Sequence, residues 1–508
     1  MKRFLAIFPP AIIAAILGAC VNVDSEVAET PSVFWKAPKD AMPKEYIEPE
    51  QIKTNSINSG NADKKSENAK ESSKDASDTV RAASEKLAAA QTLDLSEIVD
   101  IALENNTSTR IYWFQSKIYA ANLGKANSSY YPQVSIGAQV YRSKTKTSIP
   151  YFPGVGSYYE TGFGPSAEIN WLIYDFGKRE SQVDSAREAL RAANFDYNQT
   201  IQDIVLEVNV AYYNFYSAMG NVKSAQMTVD DARTTYESSS ARLREGVGNK
   251  QDALNALANL RNAEFGLQSA ISGVETARAA LAQAMGVRVS PNLKISDAVK
   301  IPDNEATSKK IDELIAQALR TRQSLLAAYA NLRMTSHDIE TAKRNFLPSI
   351  GAFGQATYTD YTQDDRGSAQ QYQAGLQLSW SIFEGFNRKY DLISAKAKER
   401  AQAQQLKAAE IKIISDIWNY YHSYKSALKQ VESAKAAVDA SSEAYNATKV
   451  GYESGINTLT DLLTSQNNLS LARQQQVSAE SGLAISIARL AHATGALVAS
   501  TNPDSAEK

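Results

Sequence analysis

The chain has 508 residues and a formal net charge of -2 at pH 7, from 54 Lys and Arg against 56 Asp and Glu. This balance leaves no basic surface that would point to nucleic acid. The single cysteine excludes an internal disulfide, and His337, His422 and His492 lack metal-ligand spacing. We therefore predict no metal site, no cofactor and no nucleic-acid partner.

Residues 1–19 have the features of a secretory signal. A positively charged start precedes an apolar run from Phe8 to Leu17, which is too short to cross a bilayer as a helix. The sequence Leu17-Gly18-Ala19-Cys20 resembles the lipobox of bacterial lipoproteins. That resemblance implies that Cys20 becomes the first mature residue and carries acyl chains, and Val21 after it favours outer-membrane sorting. The alternative is an incidental cysteine after an ordinary signal peptide.

We predict that residues 20–91 form a flexible leader. From Gln51 to Asp78 the only large aliphatic residues are Ile52 and Ile57, and aromatic residues are absent. Such a segment cannot bury enough apolar surface to offset the entropy cost of ordering. The apolar patch Pro31–Trp35 is either a loosely docked arm or a strap around the folded body.

Two helices should precede the first strand. Apolar residues have helical spacing from Leu93 to Asn105, with Asp94 or Ser96 as the N-cap, and a second helix should run from about Ser108 to Ser128. After Pro132 the period of the apolar residues changes from 3.6 to 2. This change predicts that strands follow.

Four strands are predicted at about residues 131–142, 162–174, 348–359 and 371–383, each with apolar and small or polar residues in alternation. Their length and pattern are typical of an outer-membrane β-barrel with a wet lumen. A half-buried sheet in a soluble protein would also alternate. The signal peptide, and the lack of a long apolar helix to cover the sheet, favour the barrel. Because four strands cannot close a barrel in lipid, several copies must combine, and a trimer would give twelve.

A stretch of the chain occurs twice, from Trp171 to Gly286 and from Trp380 to Gly495. Each copy has a long proline-free helix, from Lys178 to about Leu243 or from Arg388 to about Val450, then a glycine-containing turn and a returning helix. A helix of this length is about 100 Å long. Six identical pairs lie 209 residues apart: Trp171 and Trp380, Arg179 and Arg388, Ala186 and Ala395, Gly246 and Gly455, Asp252 and Asp461, and Gly286 and Gly495. The spacing predicts an internal duplication without insertions.

Six motifs in matching order carry a family resemblance. They are Tyr130–Val134 and Phe346–Ile350, Tyr174–Arg179 and Phe383–Arg388, and the turns Gly246-x5-Asp252 and Gly455-x5-Asp461-Leu462-Leu463. Together they resemble the TolC family of outer-membrane efflux and secretion channels, over about Leu93 to Gly495, and the lipobox resembles that of its lipoprotein branch. The resemblance implies an α+β membrane protein. Four transmembrane β-strands per protomer would complete a twelve-stranded trimeric barrel, and long helices would form a coiled-coil tunnel in the periplasm.

The same resemblance implies the division of the chain. Residues 92–286 are the first efflux repeat, 287–307 an equatorial linker between the repeats, 308–495 the second repeat, and 496–508 a C-terminal tail. In this family the hairpin tips form the periplasmic mouth and meet an adaptor protein. We therefore expect an adaptor to contact the tips at Gly246, Val247, Gly455 and Ile456.

The resemblance also implies a periplasmic gate. Asp461 matches an aspartate of the closed aperture, Tyr452 a tyrosine of the gate-holding network, and Asp252 is the first-half equivalent of Asp461. Three Asp461 carboxylates around one axis would attract cations and raise one another's pKa. The alternative for both aspartates is a solvated position in the first turn of a helix, which the helix dipole favours.

Two positions depart from the family pattern at this gate. Thr464 stands where some members have a second aspartate, so a double acidic ring is not expected. Asn457 stands where an arginine is common, so a latch that uses this arginine is absent or rewired.

The implied function is passive export from the periplasm across the outer membrane. The expected partners are two further copies of the chain, outer-membrane lipid, an adaptor, and an inner-membrane transporter of the RND or ABC type. Drug efflux, metal efflux and type I secretion remain open, and opening would untwist the second hairpin. The alternative is a structural periplasmic coiled-coil lipoprotein without a pore. We do not predict an enzyme, because no nucleophile elbow, phosphate loop or metal cluster occurs.

Overall fold

The computed structural model describes residues 23–41, 92–146, 157–290, 293–295, 310–362 and 367–497. The chain divides into two compact units. The strand unit contains Met1–Val27, Gln115–Ala193 and Ala327–Leu406, and the tip unit contains Ala28–Phe114, Asn194–Leu326 and Lys407–Lys508. Cys20 lies outside the described residues, as do 42–91.

The strand unit contains one antiparallel sheet of four strands, which are β2 Gln133–Lys146, β3 Ser157–Tyr174, β5 Ser349–Tyr361 and β6 Ser368–Ser379. Their order in the sheet is β2–β3–β5–β6. All four predicted strands are therefore present, with shifted ends. β6 ends at Ser379 rather than near 383 because its last partner, Ser349, is the first residue of β5. β3 begins at Ser157 because its ladder with β2 continues beyond the alternating stretch.

The two faces of this sheet differ in chemistry. On one face, large apolar side chains are exposed: Ile136 is 83% exposed, Leu376 73% and Trp171 45%. The other face has Ser, Gly, Asn and Gln at the alternate positions. Side chains alternate across a strand, so the register assigns the paired strand residues to one face or the other, except at the register shift between Leu172 and Tyr174.

The shorter helices are α1 Leu95–Asn105, α2 Thr107–Asn127, α5 Ile311–Thr321 and α6 Gln323–Arg344. The first two were predicted and agree with their predicted positions to within two residues, while α5 and α6 were not predicted. Asp94 caps α1, and its Oδ1 accepts a 2.8 Å hydrogen bond from the Glu97 N–H. α1 begins two residues later than predicted because Thr92–Leu93 forms β1. This strand pairs in parallel with β4, Lys294–Ile295, inside the predicted linker.

The long helices form two hairpins of equal dimensions. α3 (Lys178–Arg244) and α7 (Asn387–Glu453) have 67 residues each, and α4 (Lys250–Ala284) and α8 (Leu459–Ala493) have 35 each. Each element of the second hairpin begins 209 residues after its counterpart. Within the described part of the chain, no helix combines the length and apolarity that a bilayer-spanning helix needs.

A hydrophobic core in the tip unit packs around the middle of α3. Tyr213 and Phe215 of α3 are about 1% exposed, and they pack with Ile98 of α1 and Leu281 of α4. Leu93 of β1 and Ile295 of β4 belong to the same core, so the two-residue strand pair is held by burial of its side chains. This core therefore packs against the middle of α3, from Ile204 to Phe215.

Within the predicted leader, the structure describes residues 23–41, and this segment contacts α3. The backbone N–H of Trp35 donates to Asn198 Oδ1, and Asn198 Nδ2 donates to the Trp35 carbonyl, both at 2.8 Å. Trp35 is 9% exposed, and its ring meets Phe195 edge-on at a centroid distance of 5.3 Å. The Tyr197 hydroxyl also donates to the Val33 carbonyl at 2.8 Å. Trp35 supplies the buried side chain that the polar stretch after it lacks, so this segment is docked on α3.

Candidate functional site at the hairpin tips

The first hairpin tip is closed by a glycine turn. Gly246 has φ +76°, a left-handed conformation that side-chain-bearing residues rarely adopt. The Val247 N–H donates to the Arg242 carbonyl at 3.0 Å, and the Gly246 N–H donates to the Leu243 carbonyl at 3.2 Å. This pair of bonds is a Schellman motif, which satisfies the last carbonyls of α3 and ends the helix.

The second tip has the same turn. Gly455 has φ +78°. The Ile456 N–H donates to the Gly451 carbonyl at 2.7 Å, and the Gly455 N–H donates to the Tyr452 carbonyl at 3.1 Å. The predicted tip glycines therefore have a physical role in both hairpins, because each provides the backbone conformation that lets the chain reverse.

The residue after each glycine presents an aliphatic side chain to solvent. Val247 is 71% exposed and Ile456 is 81% exposed. In a Schellman motif the residue at this position frequently packs back against its own helix. Val247 and Ile456 instead remain accessible, as a surface for contact with a partner requires.

Asp461 caps α8. Its backbone N–H donates to Thr458 Oγ1 at 3.2 Å, while its Oδ2 accepts from the Thr458 N–H at 3.0 Å and from the Thr458 hydroxyl at 2.7 Å. These bonds from Thr458 hold the pKa of the Asp461 carboxyl below its usual value of 3.8. Asp461 is exposed, and Oδ1 takes no part in this capping box. The carboxylate is therefore ionised at neutral pH and is fixed in position by the helix start.

Asp252 has the equivalent place at the start of α4. Asn249 caps this helix and accepts the Asp252 N–H at 2.7 Å, and Asn249 Nδ2 donates to Asp252 Oδ2 at 2.9 Å. Both aspartates thus lie in the first turn of a helix, the position that was the alternative to a gate role. Capping fixes a carboxylate in place without removing its charge, so the two roles are compatible.

Tyr452 connects the second hairpin to the first. It is 6% exposed, and its hydroxyl shares a 3.0 Å hydrogen bond with Ser239 Oγ of α3. Arg242 Nη1 donates to the Tyr452 carbonyl at 2.8 Å, and the guanidinium carbon lies 5.1 Å from the centroid of the tyrosine ring. We call Ser239, Arg242 and Tyr452 the tip latch.

Sequence reasoning found one of the three latch residues. Arg242 and Ser239 were missed because they precede Tyr452 by 210 and 213 residues, and the search for an arginine covered only the residues after Gly455. A clue was available in Arg242, which lies in the last turn of a long helix close to a tip glycine. Asn457 does not reach α3 in its place: its Nδ2 points back to the Thr448 carbonyl of α7 at 3.4 Å.

Polar contacts join the two hairpins further from the tips. Arg473 of α8 pairs with Asp231 of α3 at 3.1 Å, and Thr228 shares a 3.0 Å hydrogen bond with Ser470. Tyr445, Tyr452 and Leu462 pack into a buried cluster close to the turns. Side chains of the two hairpins therefore contact each other further from the tips as well as at the tip latch. Among the described residues, no group of three or more His, Cys, Asp or Glu is arranged to hold a metal ion.

The sequence profile of the family described as "Outer membrane efflux protein" matches residues 98–287 and 314–496, which is more than half of the chain. The chain belongs to the outer membrane efflux protein family. Protein CyaE of Bordetella pertussis is 25% identical over 412 residues, which are 80% of this chain and 85% of CyaE. Outer membrane efflux protein BepC of Brucella suis is 23% identical over 408 residues, which are 78% of this chain and 84% of BepC.

A solved structure agrees with this assignment at the level of the fold. The outer-membrane channel OprN superposes with a TM-score of 0.69 at 20% identity, over 79% of this chain and 90% of that one. By its family, the protein is an outer-membrane exit duct for efflux or secretion that extends into the periplasm, and it is not an enzyme. Proteins of this family work with a periplasmic adaptor and an inner-membrane pump.

Proposed function

We propose that three copies of the chain assemble into a passive duct with a twelve-stranded barrel and a continuous helical tunnel, built on an internal duplication. The observation that carries this proposal is the sheet itself. Its apolar face is exposed, and β2 and β6 are edge strands. An unpaired edge in hydrocarbon leaves backbone groups without hydrogen bonds, so β6 of one copy pairs with β2 of the next until the barrel closes.

The unequal burial of α3 and α7 supports the same assembly. Trp418 of α7 is 54% exposed, whereas its equivalent in α3, Asn209, is 6% exposed. Ile411 of α7 is also 59% exposed, and its equivalent Gln202 is 2% exposed. A buried amide in α3 and an exposed tryptophan at the equivalent position of α7 are the reverse of the usual burial preferences of these side chains. A second copy of the chain would cover the apolar stripe of α7.

In the proposed closed state of the gate, the contacts of the tip latch are formed. Tyr452 and Arg242 hold the second tip against the first, and the fixed Asp461 carboxylates of three copies would surround the mouth. Opening requires the latch contacts to break as the second hairpin moves outward. Asp252 is proposed as a second acidic position at the mouth, at the start of α4.

The partners follow from the tips and the N-terminus. An adaptor binds the exposed Val247 and Ile456 and the glycine turns Gly246 and Gly455 beneath them, so that the duct receives solutes from an inner-membrane RND or ABC transporter. The transporter selects the cargo. Cys20 is proposed as the acylated anchor in the outer membrane, although it lies outside the described residues.

The test combines mass and conductance. The full-length protein, purified in detergent, should have the mass of three chains by light scattering and should form discrete channels in planar lipid bilayers. Arg242→Ala should raise the closed-state conductance, while Arg244→Ala, two residues further along the same helix, should not. Trimers that form no channels would support a structural coiled-coil lipoprotein instead, and a monomer without channels would overturn the proposal.

A further inference from the structure

The polar face of the sheet is distinguished by its amides. Seven amide side chains occur on it, which are Gln133, Gln139, Asn170, Gln355, Gln371, Gln373 and Gln377. We call this the amide face. The opposite face has Gln370 as its single amide among the described strand residues. A bilayer accepts the apolar face, so the amide face lines the lumen of the proposed barrel.

Charge on the amide face has one sign. Among its described side chains the carboxylates are Glu160 and Glu168, and Lys and Arg are absent. The basic residues of β2 lie on the other face: Arg142 and Lys144 stack on the ring of Tyr159, at 5.2 and 5.0 Å from its centroid. These bases thus lie on the outer face together with the carboxylate of Asp360, whereas the lumen side has its two carboxylates and no base among its described side chains.

Glu168 occupies a row that crosses the whole sheet. The register pairs Ser135 with Glu168, Glu168 with Gln355, and Gln355 with Gln373, so all four strands contribute a polar residue at one level. Asn170 Nδ2 donates to Glu168 Oε1 at 2.6 Å, which orients the carboxylate while it remains exposed. Glu168 is the one ionisable residue in this row.

The neighbouring row toward the helices borders a cavity next to Asn170, the residue that donates to Glu168. It pairs Asn170 with Phe353 and Phe353 with Gly375, and a cavity of about 350 Å³ lies there, bordered by Gln133, Asn170 and Gln377. Glu168 is itself exposed, so its carboxylate is accessible from the amide face.

We propose that Glu168 determines ion selectivity inside the barrel, as one carboxylate per protomer in a lumenal ring of amides that favours cations and cationic solutes over anions. This rests on the trimeric duct proposed above. The ring would contain three carboxylates, with Ser135, Gln355 and Gln373 as neutral hydrogen-bonding neighbours between them. Rings of acidic side chains favour cations because the charges sum across a lumen that offers no opposite charge.

Dissolved salt screens the electrostatic potential of these carboxylates, so the potential extends over only part of the lumen of a wide barrel. The Debye length is about 10 Å at 0.1 M salt and about 30 Å at 0.01 M. The contribution of Glu168 should therefore increase as the salt concentration falls. A change in pore size would not show this dependence.

The experiment measures reversal potentials of single channels under a salt gradient. Glu168→Gln should lower the cation-to-anion permeability ratio by about twofold or more at 0.01 M salt, and by less at 0.1 M. The matched control is Asp360→Asn, which removes a carboxylate from the opposite face of the same sheet and should leave the ratio unchanged. Glu168→Gln combined with Asp461→Asn should lower the ratio further than either change alone.

A second variant guards against a failure to assemble. Glu168→Cys is treated, after channels have formed, with a sulfonate-bearing or an ammonium-bearing methanethiosulfonate. The sulfonate should restore cation preference and the ammonium should reverse it, with the unsubstituted chain as the reagent control for Cys20. If the ion selectivity of the channels changes neither with Glu168→Gln nor with the added charge, the inference about Glu168 is overturned while the proposed duct is not. A chain that forms no channels would overturn the proposed duct.

Discussion

Arg242 and Tyr452 make two different contacts with each other. Arg242 Nη1 donates to the Tyr452 carbonyl at 2.8 Å, and the guanidinium lies over the tyrosine ring at 5.1 Å. The carbonyl belongs to the last turn of α7, so a cation here also opposes the negative end of that helix. The first hairpin therefore holds the second by the backbone and by the side chain of the same residue.

Arg242→Lys tests whether this planar contact matters. A lysine ammonium keeps the charge but cannot stack flat on the ring and donate from a rigid fork. The loss of about 2 kcal/mol from the closed state would raise the open population about thirtyfold. The measurement is the fraction of time for which single channels stay open. Equal open fractions in the lysine variant and the unsubstituted channel would show that charge alone suffices.

Gly455→Ala tests the backbone of the second tip. A methyl group there would lie 3.9 Å from Arg242 Nη2, so space is available, but φ +78° disfavours alanine by about 1–2 kcal/mol. The thermal midpoint should fall. The matched control is Gly266→Ala within α4, where φ is helical and a methyl group meets no atom within 4 Å. That change should raise the midpoint, because alanine is the better helix former by about 1 kcal/mol.

Arg179 should be the more sensitive of two equivalent arginines. Its guanidinium donates to the carbonyls of Ser129, Leu172 and Ile173 at 3.1, 2.7 and 2.9 Å, and the residue is 7% exposed. Lysine cannot reach all three, so Arg179→Lys should cost about 2 kcal/mol or more. Arg388→Lys is the control, because Arg388 pairs with the exposed Glu384 and should lose less. Denaturant midpoints of the two variants give the comparison, and equal losses would contradict it.

Thr458→Val should change the pH dependence of the tips. The Thr458 hydroxyl and N–H hold the pKa of Asp461 down, so the charged form stabilises the cap at pH above the usual carboxyl range, and this stability is lost as the pH falls through the lowered pKa. Removal of the hydroxyl raises that pKa. Cation preference should then disappear at a higher pH in Thr458→Val than in the unsubstituted channel. Thr460→Val, on the exposed side of the same turn, should not move the transition.

Asn198→Ala should release the docked N-terminal segment. The change removes both hydrogen bonds to the Trp35 backbone and leaves a buried N–H and carbonyl unsatisfied, at a cost of about 2–4 kcal/mol. Amide hydrogen exchange around Trp35 should become faster by about thirtyfold or more, which is the factor that corresponds to a loss of about 2 kcal/mol. Tyr197→Phe removes one bond, to Val33, and should have a smaller effect. Unchanged protection in Asn198→Ala would mean that the Trp35 ring alone holds the segment.

The elements with a strong local signal could be predicted from the sequence. The period of two in Val134, Ile136 and Val140 gave β2, and the proline-free stretch after Lys178 gave α3. β1 and β4 could not be predicted, because a two-residue strand has no periodicity and depends on the core around Ile98 for its position.

The candidate site was less predictable than the elements that support it. Gly246 and Gly455 follow from turn chemistry within a few residues, and Asp461 follows from the family resemblance of the motif that begins at Gly455. The partner of Tyr452 depends on which face of α3 meets α7, and that is set by packing between helices distant in sequence. Trp35 was recognised as apolar, but its anchor, Asn198, gives no sign in the sequence of pairing with a backbone 163 residues away.

The equal lengths of the two hairpins restrict how this gene can change. Inserting one residue into α7 would rotate everything beyond it by about 100° and advance it by about 1.5 Å. Tyr452 would then face away from Arg242, and Arg473 from Asp231. Tolerated length changes must therefore occur in both hairpins together, or in the connections outside them. The two hairpins must therefore keep equal lengths, and a sequence alignment of related chains should show few gaps within them.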